Sequence, residues 1–71
     1  MVGLIEIKGT YGAAGMTVSL LADSKDDKLP SNCNEIPGIS APGKIHRGST
    51  CITVEGDFCM MGNNGEWGAW I

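Results

Sequence analysis

The residues with the most chemical potential in this chain are three cysteines, Cys33, Cys51 and Cys59, and one histidine, His46. Two of the cysteines could form a disulfide, and the four residues together could form a Cys₃His zinc site. Zinc modules, however, supply cysteines in close pairs of the Cys-x₂₋₄-Cys type, and the cysteines here are spaced much more widely. We therefore favour a disulfide and predict neither a metal ion nor a cofactor.

Other reactive arrangements have little support in the sequence. A cysteine–histidine nucleophile pair also needs an orienting group, an oxyanion hole and a substrate cleft, which a chain of 71 residues seldom provides. The acidic cluster of Asp23, Asp26 and Asp27 lacks the ligand spacing of a calcium-binding EF-hand, so we interpret it as a solvated loop. We predict that the protein is not an enzyme and has no catalytic residues.

Cysteine usage and composition bear on the compartment. Small domains that cannot build a large core are often held by disulfides, which persist in oxidising compartments. Only 18% of the residues are charged, a fraction common among secreted domains. We predict a secreted protein with one unpaired thiol; the alternative is a reduced protein with three buried thiols. No run approaches the roughly 20 apolar residues that span a bilayer, so no membrane span is predicted.

The elements that would hold these residues are predicted to be β-strands. Apolar and polar residues alternate at 16–20, and residues 51–54 form a β-branched run. Residues 58–61 follow a Glu-Gly-Asp turn, and residues 66–71 follow an Asn-Gly pair that is typical of a type I′ hairpin. The sequence therefore predicts one all-β domain over residues 1–71, a small antiparallel β-sandwich or barrel of about five to seven short strands.

The hairpin that contains two of the cysteines decides which cysteines can pair. A turn at residues 55–57 would place Cys51 opposite Met61, two pairs away from Cys59. These two cysteines would then be too far apart, because the α-carbons of a disulfide lie within about 7 Å of each other. Cys33, in an irregular connection, is the better partner for either one. We predict a disulfide between Cys33 and Cys51.

Residues 29–43 hold all three prolines and form a long connection. Connections of this length in compact domains are usually functional or disordered. Ile36 and Ile39 lie between prolines and glycines, so we predict that at least one is exposed and binds a partner. The alternative is that both fold inward and close the end of the β structure.

Trp67 and Trp70 are the other candidate partner-binding residues. Because they are three residues apart, they would point to opposite faces of an extended strand. We predict that one lies in the core and the other is partly exposed, where it would bind a partner protein or stack on a sugar. The basic residues Lys44, His46 and Arg47 are interpreted as protection of a strand edge. A net charge of −3 argues against nucleic acid as a partner.

Several short motifs resemble one class of known proteins. In order, they are Thr-Val-Ser-Leu at 17–20, Asp-Ser at 23–24, Cys33, Ile-Pro-Gly at 36–38, Gly-Ser-Thr-Cys-Ile-Thr-Val at 48–54 and Gly-Asp-Phe-Cys at 56–59. Over about residues 16–60 the pattern resembles the small cysteine-containing secreted proteins of filamentous fungi, many of which are candidate effectors in virulence. Lys25 stands where those proteins often carry a cysteine, which would explain the odd cysteine count.

The resemblance implies a compact β-sandwich and a secreted, non-enzymatic effector that binds a host protein. The second function class is a carbohydrate- or glycan-binding module that uses an exposed Trp67 or Trp70. Co-purification of one host protein would favour the first class. Glycan binding that is lost when either tryptophan is replaced would favour the second.

Overall fold

The computed structural model describes all 71 residues, Met1–Ile71, and has an all-β fold. A single open sheet contains five strands: β1 (Gly3–Thr10), β2 (Gly15–Ala22), β3 (Lys44–Ile45), β4 (Thr50–Thr53) and β5 (Phe58–Met60). Helical structure is limited to two 3₁₀ turns, Gly12–Ala14 and Cys33–Glu35. None of it is long and apolar enough to cross a membrane. The predicted all-β class is confirmed.

Strand β2 lies at the centre of the sheet and pairs with three other strands. It is antiparallel to β1 and parallel to both β3 and β4, and β4 then pairs antiparallel with β5. The sheet is therefore mixed and open, in contrast to the antiparallel sandwich or barrel that the sequence predicts. Parallel strands need a crossover of about a dozen residues or more, and the proline-containing connection between β2 and β3 supplies it.

One face of the sheet forms the core. Val18, Leu20 and Ala22 alternate along β2 on this face, and Cys51 and Cys59 lie beside them on β4 and β5. The residues that lie between them along each strand point to the other side of the sheet, as the period-two pattern requires. We call these two sides the core face and the open face. The core face is covered by the connection between β2 and β3, not by a second sheet.

The connection covers the core with its own apolar residues. Cys33 and Ile36 are fully buried, with 1% of the Ile36 surface exposed, and Ile39 packs against the core at partial burial. The Cys33 amide donates a 2.9 Å hydrogen bond to the Gly43 carbonyl, which holds the two ends of the segment together. Ile36 is thus a core residue, and the alternative in which the isoleucines fold inward describes it better than the predicted exposed contact.

A three-residue turn at 54–56 joins β4 to β5. The Gly56 amide donates to the Thr53 carbonyl, and the Thr53 amide donates to the Asp57 carbonyl. Gly56 has a φ of 99°, the left-handed conformation that the last residue of such a turn adopts. The turn begins one residue earlier than predicted, because it must place Gly56 at this last position.

This shift changes which residues face each other across the hairpin. Cys51 lies directly opposite Cys59, so the predicted pairing of Cys51 with Met61 is wrong. All three cysteines are buried free thiols, and the predicted disulfide between Cys33 and Cys51 is absent from the structure. Alternation along residues 51–54 places Cys51 on the same face as Thr53, and both are buried while Ile52 between them is exposed.

The last residues of the chain extend the sheet beyond β5 without forming a regular strand. The amide and carbonyl of Ile71 exchange hydrogen bonds with those of Phe58, and Trp67 forms a bridge with Met61. The segment from Trp67 to Ile71 holds one residue more than the segment it faces, as in a β-bulge. Both Trp67 and Trp70 therefore pack against the core at partial burial, whereas strict alternation would have separated them.

Candidate functional site

A short loop between β3 and β4 projects basic side chains from the sheet. β3 and β4 pair with the same edge of β2 and leave a gap between them, at the Val18 amide. Ser49 fills this gap, because its buried hydroxyl accepts a 3.0 Å hydrogen bond from that amide. The Ser49 amide donates to the His46 carbonyl, and the His46 amide donates to the Met16 carbonyl. The loop is fixed at both ends, and the exposed Arg47 lies between them.

The largest concave feature of the surface is a cleft of about 600 Å³ beside this loop. Its walls come from the loop itself, from the residues that flank the β1–β2 turn and from residues 62–65. Its polar side chains comprise three basic and three neutral ones: Lys44, His46, Arg47, Tyr11, Thr17 and Asn63. Because no carboxylate lines the cleft, its charged groups are all basic. We call this feature the basic cleft.

Tyr11 and His46 form an aromatic wall of the basic cleft. Their ring centroids are 4.6 Å apart, with 32° between the ring planes. His46 Nε2 donates a 3.0 Å hydrogen bond to the Ala14 carbonyl, and the Thr17 hydroxyl donates to the Tyr11 hydroxyl over 3.4 Å. A Cβ at Gly9 would come within 3.3 Å of the Tyr11 hydroxyl, so the glycine leaves room for the ring. The wall is held in place by contacts within the chain.

The positive charges of Lys44 and Arg47 have no anionic partner within the chain. The ion pairs of the structure join the Met1 ammonium to Asp23 and Asp27, and neither involves the basic cleft. Cations that line a concave surface without intervening carboxylates concentrate positive potential there. An arginine side chain can also bind a carboxylate through two parallel N–H···O bonds. The basic cleft is therefore suited to an anionic group.

The cysteines do not line the basic cleft. Burial raises the pKa of the Cys51 thiol to about 11, with a further contribution from the neighbouring Cys59. Burial also raises the pKa of Cys59. Because the thiolate is the reactive form of cysteine, these side chains are poor nucleophiles at neutral pH. No group of three or more His, Cys, Asp or Glu side chains is placed to hold a metal ion.

The basic residues do not protect a strand edge, which corrects our interpretation of the sequence. β3 pairs with β2 on one side, and Lys44 forms a bridge with Asn32 on the other. The indication available in the sequence is that three basic residues fall within residues 44–47 of an acidic chain. Nothing in the sequence marks Tyr11, because its contact with His46 depends on how the β1–β2 turn meets the β3–β4 loop.

None of the four predicted partner-binding residues lines the basic cleft. Ile36 lies in the core, and Ile39 and Trp70 are partly buried against it. Trp67 is also partly buried, and its indole N–H donates a 2.8 Å hydrogen bond to the Pro30 carbonyl. This bond ties the tryptophan to the connection that covers the core.

Comparison of the chain with protein-family models, with curated proteins and with solved structures finds no match. The geometry of the basic cleft is therefore the main basis for a functional proposal.

Proposed function

We propose that this protein is a non-enzymatic binding protein that recognises an acidic group of a partner protein in the basic cleft. The observation that carries the proposal is the grouping of Lys44, His46 and Arg47 in a concave site without a carboxylate. Tyrosine and arginine are enriched among residues that dominate the energy of protein interfaces, and Tyr11 lines the same cleft. The raised pKa of Cys51 supports binding over thiol catalysis.

For the kind of partner and for the compartment, the proposal relies on our predictions from the sequence. The resemblance to secreted proteins of filamentous fungi supports a secreted, effector-like protein that binds a host protein, and this assignment stays a prediction. Because all three cysteines are free thiols, secretion rests on the resemblance and on the low charged fraction, not on a disulfide. The net charge of −3 continues to disfavour nucleic acid.

A binding measurement with an acidic probe tests the proposal. Fluorescence anisotropy would follow a labelled glutamate-rich peptide as it binds the wild-type protein and the variants Lys44→Gln and Arg47→Gln. We expect each variant to raise the dissociation constant about tenfold, equivalent to about 1.4 kcal/mol. Lys25→Gln removes the same charge outside the basic cleft and should leave the affinity unchanged. Equal weakening by all three variants would mean that net charge alone controls binding.

A carbohydrate ligand is the second candidate, and the exposure of Tyr11 in the cleft favours it. Tyr11 is 53% exposed as a residue, and a sugar ring could stack on the side of its ring that does not face His46. Trp67 and Trp70 offer less free surface, since both pack against the core. Binding of neutral chitohexaose that is lost in Tyr11→Ala but kept in Arg47→Gln would favour this candidate over an acidic protein segment.

A further inference from the structure

The outer edge of β1 is free of any neighbour. β1 is the terminal strand of the sheet and pairs only with β2. It is eight residues long and contains no proline; of the features that keep natural sheet edges from pairing, it has the charged Glu6 and Lys8 and two bulges. Three of its large apolar side chains, Leu4, Ile5 and Ile7, are exposed, Ile5 at 51% and Ile7 at 46%. The edge therefore offers both backbone hydrogen-bonding groups and apolar surface.

Two charged side chains of β1 lie on the open face. Glu6 pairs with Ser19, which belongs to that face, and Lys8 Nζ reaches the Thr50 hydroxyl on the same face at 3.4 Å. Ile7 between them pairs with the buried Val18 and points to the core side. Neither charge forms an ion pair within the chain, because both ion pairs of the structure involve the Met1 ammonium.

We propose that β1 pairs antiparallel with β1 of a second copy of this chain, with Ile7 on the two-fold axis. In this register Glu6 lies opposite Lys8 of the second copy, and the symmetry repeats the pair. Directly opposed residues of an antiparallel pair share a face, and opposite charges there contribute about 0.2–1 kcal/mol each. Ile7 contacts its own symmetry mate on the core side. The two sheets become one continuous sheet with an isologous interface.

The charge pattern selects a second copy over an unrelated strand. The order Glu6, Ile7, Lys8 is complementary to itself only in an antiparallel arrangement centred on Ile7. A parallel pairing in register would place Glu6 against Glu6 and Lys8 against Lys8, which is unfavourable. Two copies of β1 therefore match each other in charge when they pair antiparallel.

Two bulges limit the strength of this interface. The pairing of β1 with β2 shifts register next to Ile5 and next to Lys8, and bulges increase the local twist of a strand. A regular ladder is therefore confined to a short stretch around Ile7. Interfaces below about 1,200 Å² are typically weak or transient, so we expect dimerisation in the micromolar range or weaker.

Charge exchange tests the proposed register. Sedimentation velocity up to about 1 mM protein should show a concentration-dependent dimer for the wild type. Glu6→Lys and Lys8→Glu should each reduce dimerisation at least tenfold, and the double variant should restore it because the opposed charges are exchanged. Asp26→Lys makes the same charge change as Glu6→Lys in an exposed loop and should have no effect. A monomeric wild type, or a double variant that stays monomeric, would overturn the proposal.

Cysteine cross-linking tests the position of the two-fold axis independently. In Ile7→Cys, the two new thiols would be directly opposed, with α-carbons about 4.5–5.5 Å apart, inside the range for a disulfide. Glutathione disulfide would take up their two electrons and two protons, which yields a covalent dimer and two glutathione molecules. Ile5→Cys places the thiols about 14 Å apart at 3.4 Å per residue and should not cross-link. Equal cross-linking of both variants would refute the register.

Discussion

Gly43 and Gly15 form a close backbone contact, and replacing Gly43 tests whether this contact holds the connection onto β2. A Cβ at Gly43 would lie 2.5 Å from both the nitrogen and the α-carbon of Gly15, and 2.8 Å from the Ala13 carbonyl oxygen. These are backbone atoms, so they cannot yield without moving β3 away from β2. Gly43 also directly precedes Lys44, which lines the basic cleft.

The expected cost of Gly43→Ala has two parts. Gly43 has a φ of 103°, and an alanine forced into a left-handed conformation costs about 1–2 kcal/mol. The reduced entropy of the unfolded chain returns about 0.4–1 kcal/mol of this. The steric conflict adds about 1–3 kcal/mol. We expect a net loss of about 1–5 kcal/mol with a central value of about 3 kcal/mol, which corresponds to a fall in Tm of roughly 10–20 °C for a domain of this size.

Thermal unfolding followed by circular dichroism measures this loss against two control variants. Gly38 has a φ of 89° but nothing within 4 Å of an added Cβ, so Gly38→Ala isolates the backbone strain and should cost about 1 kcal/mol or less. Gly3 has neither a positive φ nor a neighbour within 4 Å, and Gly3→Ala should change stability by less than about 0.5 kcal/mol. If Gly43→Ala is no less stable than Gly38→Ala, the close contact does not contribute and the reasoning is wrong.

Three further predictions concern the core and the β4–β5 hairpin. Ile36→Ser should lower the free energy of unfolding by about 2–5 kcal/mol because it empties a buried site, whereas Ile39→Ser should cost less than half as much; equal losses in urea unfolding would contradict this packing. At pH 8, iodoacetamide should modify Cys51 much more slowly in the native protein than in urea. Peptide mapping that shows rapid modification of Cys51 in the native protein would contradict this slow reaction. Because the pKa of Cys51 is raised to about 11, the stability that its protonated thiol contributes is complete below about pH 9 and is lost as the pH rises toward 11. Thr53→Val should cost about 1–3 kcal/mol, because the buried Thr53 hydroxyl accepts hydrogen bonds from the Glu55 and Asp57 amides; an unchanged Tm would show that water replaces these bonds.

The sequence by itself determines most of the strands and the approximate positions of the turns between them. Alternation of apolar and hydroxyl side chains predicts β2, and the β-branched run around Cys51 predicts β4. Glycines mark where the chain reverses, as Gly56 does between β4 and β5. These features depend on backbone preferences and on the alternation of faces, both of which act over a few residues. They are sufficient for the all-β class and for placing Cys51 on the same face as Thr53, while the burial of that face depends on the neighbouring elements.

Only the tertiary structure decides which strands become neighbours and where the basic cleft forms. The parallel pairing of β2 with β4 brings together segments that are about thirty residues apart in the chain, and alternation is the same for parallel and antiparallel neighbours. The contact of Tyr11 with His46 depends on the parallel pairing of β2 with β3, because His46 directly follows β3 and its amide donates to the Met16 carbonyl of β2. The opposition of Cys51 and Cys59 depends on one turn position, because a shift of one residue at a hairpin turn changes every partner across it. Burial of Ile36 likewise depends on tertiary structure, because the core face of the open sheet is covered by the connection between β2 and β3, in which Ile36 lies.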